Sequence, residues 1–221
     1  MASVPPSRAR DLIEVILGYV AIMGVIWMPD HWQRALSPLV LVLTLWIVLA
    51  RSHTPDELGV GWNGLIPSLW ILPATITVCA LSMFAAARFG TLHPLYKGDL
   101  KHVAGYVVWT IYQQFLLQDY FMARLLRLLS RGERSNDTGA IAVVAVLFAA
   151  AHLPNLTLTL ATLAWGAASC ALFRRHRNLW MLGLAQGMLG LCFAVCVPDA
   201  LHHHLRVGLG YLRYGGSRLV P

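Results

Sequence analysis

Long apolar runs alternate along this chain with short clusters of proline, glycine and charge. A helix needs about 20 residues, at about 1.5 Å each, to cross the hydrocarbon of a bilayer. The runs predict spans over residues 12–28, 35–50, 65–87, 103–129, 139–152, 156–173 and 179–197. Pro29-Asp30 closes the first, and the loop 51–64, with its proline and glycines, separates the second from the third. A short interfacial helix is expected around 56–60, Pro67 opens the third span, and Pro73 kinks it. The fold class is therefore all-α: a polytopic transmembrane helical bundle of about seven spans. The interrupted stretch 199–214 is a candidate short eighth helix, interfacial or re-entrant. The whole chain, 1–221, reads as a single transmembrane domain.

The fourth span breaks the apolar pattern. VAGYVVWTIYQQFLLQDYFMARLLRLL carries Gln113, Gln114, Gln118 and Asp119 near its middle. An unmade hydrogen bond is costly in hydrocarbon, so these groups must face protein or a water-filled cavity. Gln114 and Gln118 share a helix face, while Gln113 and Asp119 are each turned about 100° from a neighbour in that pair. His152 ends the fifth span just before Pro154, and Gln186 lies in LGLAQGMLG, whose glycines permit close helix approach. Counted from the cytoplasmic ends of their spans, Gln114, Gln118, His152 and Gln186 lie about 22, 16, 20 and 10 Å deep. The layers overlap, which allows these side chains to converge on one cavity.

His152 is the strongest single candidate for reactivity, because a neutral imidazole ligates metal or moves a proton. Asp119, the mid-span carboxylate of this half of the chain, is a candidate acid, base or ligand; otherwise Arg124 or a tyrosine hydroxyl simply satisfies it. Gln113, Gln114, Gln118 and Gln186 are candidate cavity-lining groups, with interhelical hydrogen bonding as the plainer role. Asn155, three residues after His152, joins that face if the helix continues. His202, His203 and His204 are consecutive, fan around a helix, and read as solvated interfacial groups. The chain holds no HExxH, GxSxG or CxxC pattern.

Composition supports the membrane reading: 57% hydrophobic, 12% charged, mean hydropathy +0.62. Soluble domains carry about 25% charged residues. The formal charge of +7 does not point to nucleic acid. The bases cluster as Arg8/Arg10, Arg127/Arg131/Arg134 and Arg174/Arg175/Arg177, beside apolar runs, where anionic lipid attracts each by about 1 kcal/mol. The same clusters put the N-terminus on the cytoplasmic side. Few long loops and no eukaryotic targeting feature make a bacterial cytoplasmic membrane the expected location, and no cleavable signal pattern opens the chain. Cys79, Cys170, Cys192 and Cys196 lie within apolar runs and read as small hydrophobes.

Taken together, the polar stations resemble the CAAX-protease and bacteriocin-processing family, also called the Abi family, of intramembrane metalloproteases. Members carry Glu-Glu-x-x-x-Arg, then Phe-x-x-x-His, then His-x-x-x-Asn/Asp. Here QQFLLQ stands at 113–118, FAAAH at 148–152 and QGMLG at 186–190, so the family-like core covers about 103–197. Phe148 and His152 match outright. Gln113 and Gln114 stand for the glutamates, Gln118 for the arginine, Gln186 for the second histidine and Gly190 for Asn/Asp. An alternative register sets Gln118-Asp119 at the glutamate pair, with Arg124 one position too late.

The resemblance implies a glutamate-activated water and a metal, zinc, held by histidines, here His152. Glutamine cannot take a proton from water. The resemblance thus implies a divergent member with lost or altered peptidase chemistry, serving as a lipid-, isoprenoid- or partner-binding membrane subunit. The alternative is an active intramembrane metal-dependent peptidase using His152 and Asp119. Expected partners are membrane lipids, an isoprenoid or hydrophobic peptide, and another membrane protein subunit.

Overall fold

The computed structural model describes residues 7–51, 54–96, 98–130 and 136–214. Arg131 and Arg134 of the predicted cytoplasmic loop lie outside the described residues. Every regular element among those described is helical. They are α1 (Arg8–Trp27), α2 (Asp30–Leu49), α3 (Leu65–Ser68), α4 (Ile71–Phe89), α5 (Leu100–Phe115), α6 (Ala123–Leu129), α7 (Asp137–Ala150), α8 (Leu156–His176), α9 (Leu179–Cys196), α10 (Asp199–His202) and α11 (Gly208–Leu212). A π-helical segment, Leu116–Met122, joins α5 to α6 in one continuous rod. Four stretches are long and apolar enough to cross a membrane: Asp30–Leu49, Leu65–Phe89, Leu156–His176 and Leu179–Cys196. The protein is an all-α membrane protein.

Local chemistry sets the helix starts. Side-chain oxygens of Ser7, Asp99, Asn136, Asn155 and Asn178 accept from backbone N–H groups of the first turns of α1, α5, α7, α8 and α9. The third predicted span divides at Leu69-Trp70, between α3 and α4. Pro73 has no N–H to give the Leu69 carbonyl, so the ladder breaks one turn before the proline.

Helix α9 runs against both α4 and α5, α7 and α8 form a hairpin, and α1 lies between α2 and α6. Gly183 permits the α5–α9 approach: a Cβ there would stand 2.8 Å from Ile111 Cα. Outward faces are apolar, with Trp46, Leu81 and Phe84 exposed, which suits contact with lipid.

Residues 56–60 form turns, not the expected short helix. Their loop caps the bundle: Leu179 N–H donates to Gly59 O at 2.8 Å, and Asn178 and Leu179 are buried beneath it. Residues 199–214 make no further span. Positive φ at His203, His204 and Leu205 breaks this stretch into α10, a 3-10 turn and α11. The result is a strap across the end of the bundle, tied where Gly208 N–H donates to Leu153 O at 2.9 Å.

Candidate functional site

Between α1, α5, α7, α8 and α9 lies a cavity of about 520 Å³. Its walls are mostly apolar, with Tyr19, Tyr106, Tyr112, Phe148 and Phe193 among them, and the strap contributes Val197, Leu205 and Val207. Its size is that of a site for a small ligand. The polar groups on its wall include Gln113, His152, Trp165 and Gln186.

The glutamines form one directed row. Gln118 Nε2 donates to Gln114 Oε1 at 3.1 Å, Gln114 Nε2 to Gln186 Oε1 at 2.6 Å, and Gln186 Nε2 to Gln113 Oε1 at 2.5 Å. The Trp165 indole N–H also donates to Gln186 Oε1, at 3.1 Å. Indole is a donor only, so Trp165 fixes which end of the Gln186 amide faces it. That choice propagates: Gln186 must present nitrogen to Gln113, and Gln113 must answer with oxygen. Gln113 itself lines the cavity, and its NH₂ is the donor that the row does not use. Gln114 and Gln118 lie in the layer behind, fully buried.

His152 faces the same cavity. Its Nδ1 lies 2.7 Å from the Phe148 carbonyl oxygen, one helical turn back. A carbonyl only accepts, so Nδ1 carries the proton and Nε2 keeps its lone pair. The Phe148 ring stands edge-on at 4.8 Å and limits rotation of the imidazole.

Asp119 does not line the cavity. It lies buried in the π-helical segment, and its Oδ2 has no hydrogen-bond partner among the described residues. The Arg124 guanidinium, also buried, donates through Nη1 to the Asp119 and Tyr120 carbonyl oxygens, at 3.2 and 2.7 Å. It thus holds the backbone of the π segment, not the Asp119 carboxylate. Asn155 is equally remote in role. Its Oδ1 caps α8, and its Nδ2 donates to the His202 and Arg206 carbonyls at 2.7 and 3.0 Å, tying the strap to the α7–α8 turn.

Two charged sites were not anticipated from the pattern. At one end, Asp11 accepts from Arg51 and Arg127, and Glu14 from Arg10, Arg51 and Arg124. At the other, His93, Asp199 and His202 bring one donor atom each within 4.8 Å of one another, a cluster capable of coordinating a metal ion. His202 is therefore no solvated interfacial group: the broken helix turns its ring inward, and it is fully buried. Burial pushes its imidazole below the ordinary value, while the Val197 carbonyl beside His93 raises that imidazole.

The zinc centre implied by the family resemblance does not fit the cavity. Catalytic zinc takes three protein donors. Gln186 Oε1 already serves Gln114 and Trp165, Gly190 has no side chain, and the space a Cβ would fill there is taken by the Tyr106 hydroxyl. His152 belongs to no group of three metal-grade donors among the described residues.

A bundle of membrane-spanning helices around an apolar cavity, with an imidazole and a row of amides on its wall, is the class that fold and site define. Residues 100–192, from the start of α5 into α9, match the family described as type II CAAX prenyl endopeptidase Rce1-like. The matched segment is thus similar to that family, and Gln113 and Gln114 stand in it where the resemblance sets paired glutamates. No curated protein and no solved structure matches the chain.

Proposed function

We propose that the protein is an intramembrane peptidase of the CAAX-protease type, acting on a largely apolar substrate: a hydrophobic peptide end or a peptide carrying an isoprenoid. The observation that carries this reading is His152, whose Nδ1–H is committed to Phe148 O and whose Nε2 remains a base on the cavity wall. In the step it supports, the substrate carbonyl accepts from Gln113 Nε2. Water attacks the carbonyl carbon and gives its proton to His152 Nε2. As the C–N bond breaks, His152 returns that proton to the leaving amine. Asp119 has no part in this step. The family match favours an active protein over one that has lost its chemistry.

In this reading the chain is one transmembrane domain with 103–197 as its working core. The rods α1, α2, α3–α4, α5–α6, α7, α8 and α9 supply seven spans, and the N-terminus lies on the cytoplasmic side of a bacterial membrane. The test is cleavage of a fluorogenic peptide with a farnesylated or hydrophobic end by the full-length protein in nanodiscs. Cleavage is expected in the wild type and should fall at least about 100-fold in His152→Gln, with an unchanged melting temperature. Equal cleavage by the two proteins would overturn the assignment.

A second reading is favoured by one observation: among the described residues, no carboxylate lines the cavity. The protein would then bind lipid, isoprenoid or a partner helix as a membrane subunit. It predicts saturable binding of the farnesylated peptide with no product, in wild type and His152→Gln alike.

A further inference from the structure

We infer that His93, Asp199 and His202 form a binding site for a divalent transition metal that clasps the strap to the segment before α5. The site is separate from the cavity wall that carries His152 and does not depend on hydrolysis there. His93 precedes α5, while Asp199 and His202 belong to α10, so an ion held by all of them would cross-link two connections of the bundle. The His93 and His202 rings lie nearly parallel, 12° apart, and both aim Nε2 at one atom, the Val197 carbonyl oxygen, at 2.9 and 2.8 Å.

The hydrogen bonding at His93 points to a cation. Its Nδ1 faces the Pro94 carbonyl at 3.2 Å, and that carbonyl can only accept. A neutral His93 with its proton on Nδ1 would then set a bare Nε2 lone pair against the Val197 oxygen. Two acceptors at 2.9 Å need a positive charge between or beside them. An imidazole that gives its other N–H to a backbone carbonyl is also the usual arrangement around a ligating histidine. His202 accepts from Leu205 N–H at its Nδ1, so metal binding at Nε2 displaces the proton that now faces Val197.

The donors choose the ion. Two imidazole nitrogens and a carboxylate suit zinc, which completes a tetrahedral set with one further ligand. That ligand is available from the Val197 carbonyl, on which both Nε2 atoms converge. The clasp bears on the cavity, because Val197 and Leu205 belong to its wall. Fixing them fixes the strap side of the cavity.

The test is titration of the full-length protein in detergent with Zn²⁺ by calorimetry and with Co²⁺ by visible absorption. Tight binding is expected in the wild type and in His152→Ala, weaker by at least about tenfold in Asp199→Asn and His93→Ala. Asp199 is partly exposed, so Asp199→Asn keeps the test valid if His93→Ala unfolds. Amide exchange in 197–207 should slow when Zn²⁺ is added to the wild type. No binding by the wild type, binding untouched by both variants, or loss of binding in His152→Ala would overturn the site. In the first case a proton on His93 is the charge that the two carbonyls hold.

Discussion

The two ends of the bundle hold charge in opposite ways. At the α1–α6 end, both carboxylates are saturated by arginines: Arg51 and Arg127 on Asp11, and Arg10, Arg51 and Arg124 on Glu14. Arg124 also carries its charge 4.1 Å above the Tyr120 ring, and the Tyr120 hydroxyl donates to the Glu14 carbonyl at 2.8 Å. Arg124, Arg127 and Tyr120 tie α1 to the rod that bears the glutamine row, and Arg51 ties the end of α2 to α1. At the strap end, one partly exposed carboxylate lies among His93, His202 and His204, and the Nε2 atoms of His93 and His202 converge on a single carbonyl. The first end is built to stay closed, since a buried arginine without its carboxylate is strongly unfavourable. The second can gain or lose a cation without stranding a fixed charge. The cavity lies between them, braced at one end and adjustable at the other.

The contrast breaks most visibly at Glu14. Glu14→Ala leaves the buried Arg124 and Arg51 short of a partner, and should cost about 3 kcal/mol, read as a large drop in melting temperature in detergent. Asp199→Asn should leave metal-free stability nearly unchanged. If the two variants melt alike, the ends do not differ as described.

A smaller effect is expected inside the cavity. Trp165→Phe removes the donor that sets the direction of the amide row, a loss of about 1 kcal/mol in stability. Its sharper consequence is functional, because a reversed Gln186 no longer compels Gln113 to present NH₂ to the cavity. The fall in kcat/KM should exceed what the stability loss explains; an unchanged kcat/KM would mean that Trp165 only fills space.

The smallest effect belongs to the Arg174–Asp137 pair, at 2.9 Å but about a third exposed on both sides. Arg174→Ala should shift stability by no more than about 0.5 kcal/mol. A loss as large as that of Glu14→Ala would show that burial does not separate these pairs.

Much of the helix order was legible because apolar runs and their breakers are local signals, and the described helix ends lie within a few residues of those expected. The site was legible in kind but not in detail. Gln114 and Gln186 differ by about 12 Å in depth when counted from their span ends, yet they are hydrogen-bonded. The reason is that loop 54–64 covers Asn178 and Leu179, so α9 begins already inside the protein. Asp119 falls away from the cavity because the π-helical segment changes the angular spacing on which the helix-face estimate depends. Asn155 reads as a neighbour of His152, but it follows Pro154 outside the α7 helix and acts as the cap of α8. His93 gave no signal, since its partners lie a long way on in the chain and reach it only through the strap's left-handed turn. The same holds for Asp11 and Glu14: acids at helical spacing in a first turn announce a capped or solvated start, not a buried meeting with Arg51, Arg124 and Arg127.

The most direct measurement is the rate of cleavage of a farnesylated or hydrophobic-ended peptide by the full-length protein in nanodiscs, compared among wild type, His152→Gln and Gln113→Met. The account predicts cleavage in the wild type, a fall of at least about 100-fold in His152→Gln and a comparable fall in Gln113→Met, with binding of the peptide retained. Binding without any cleavage by the wild type, or cleavage that both substitutions leave intact, would contradict it.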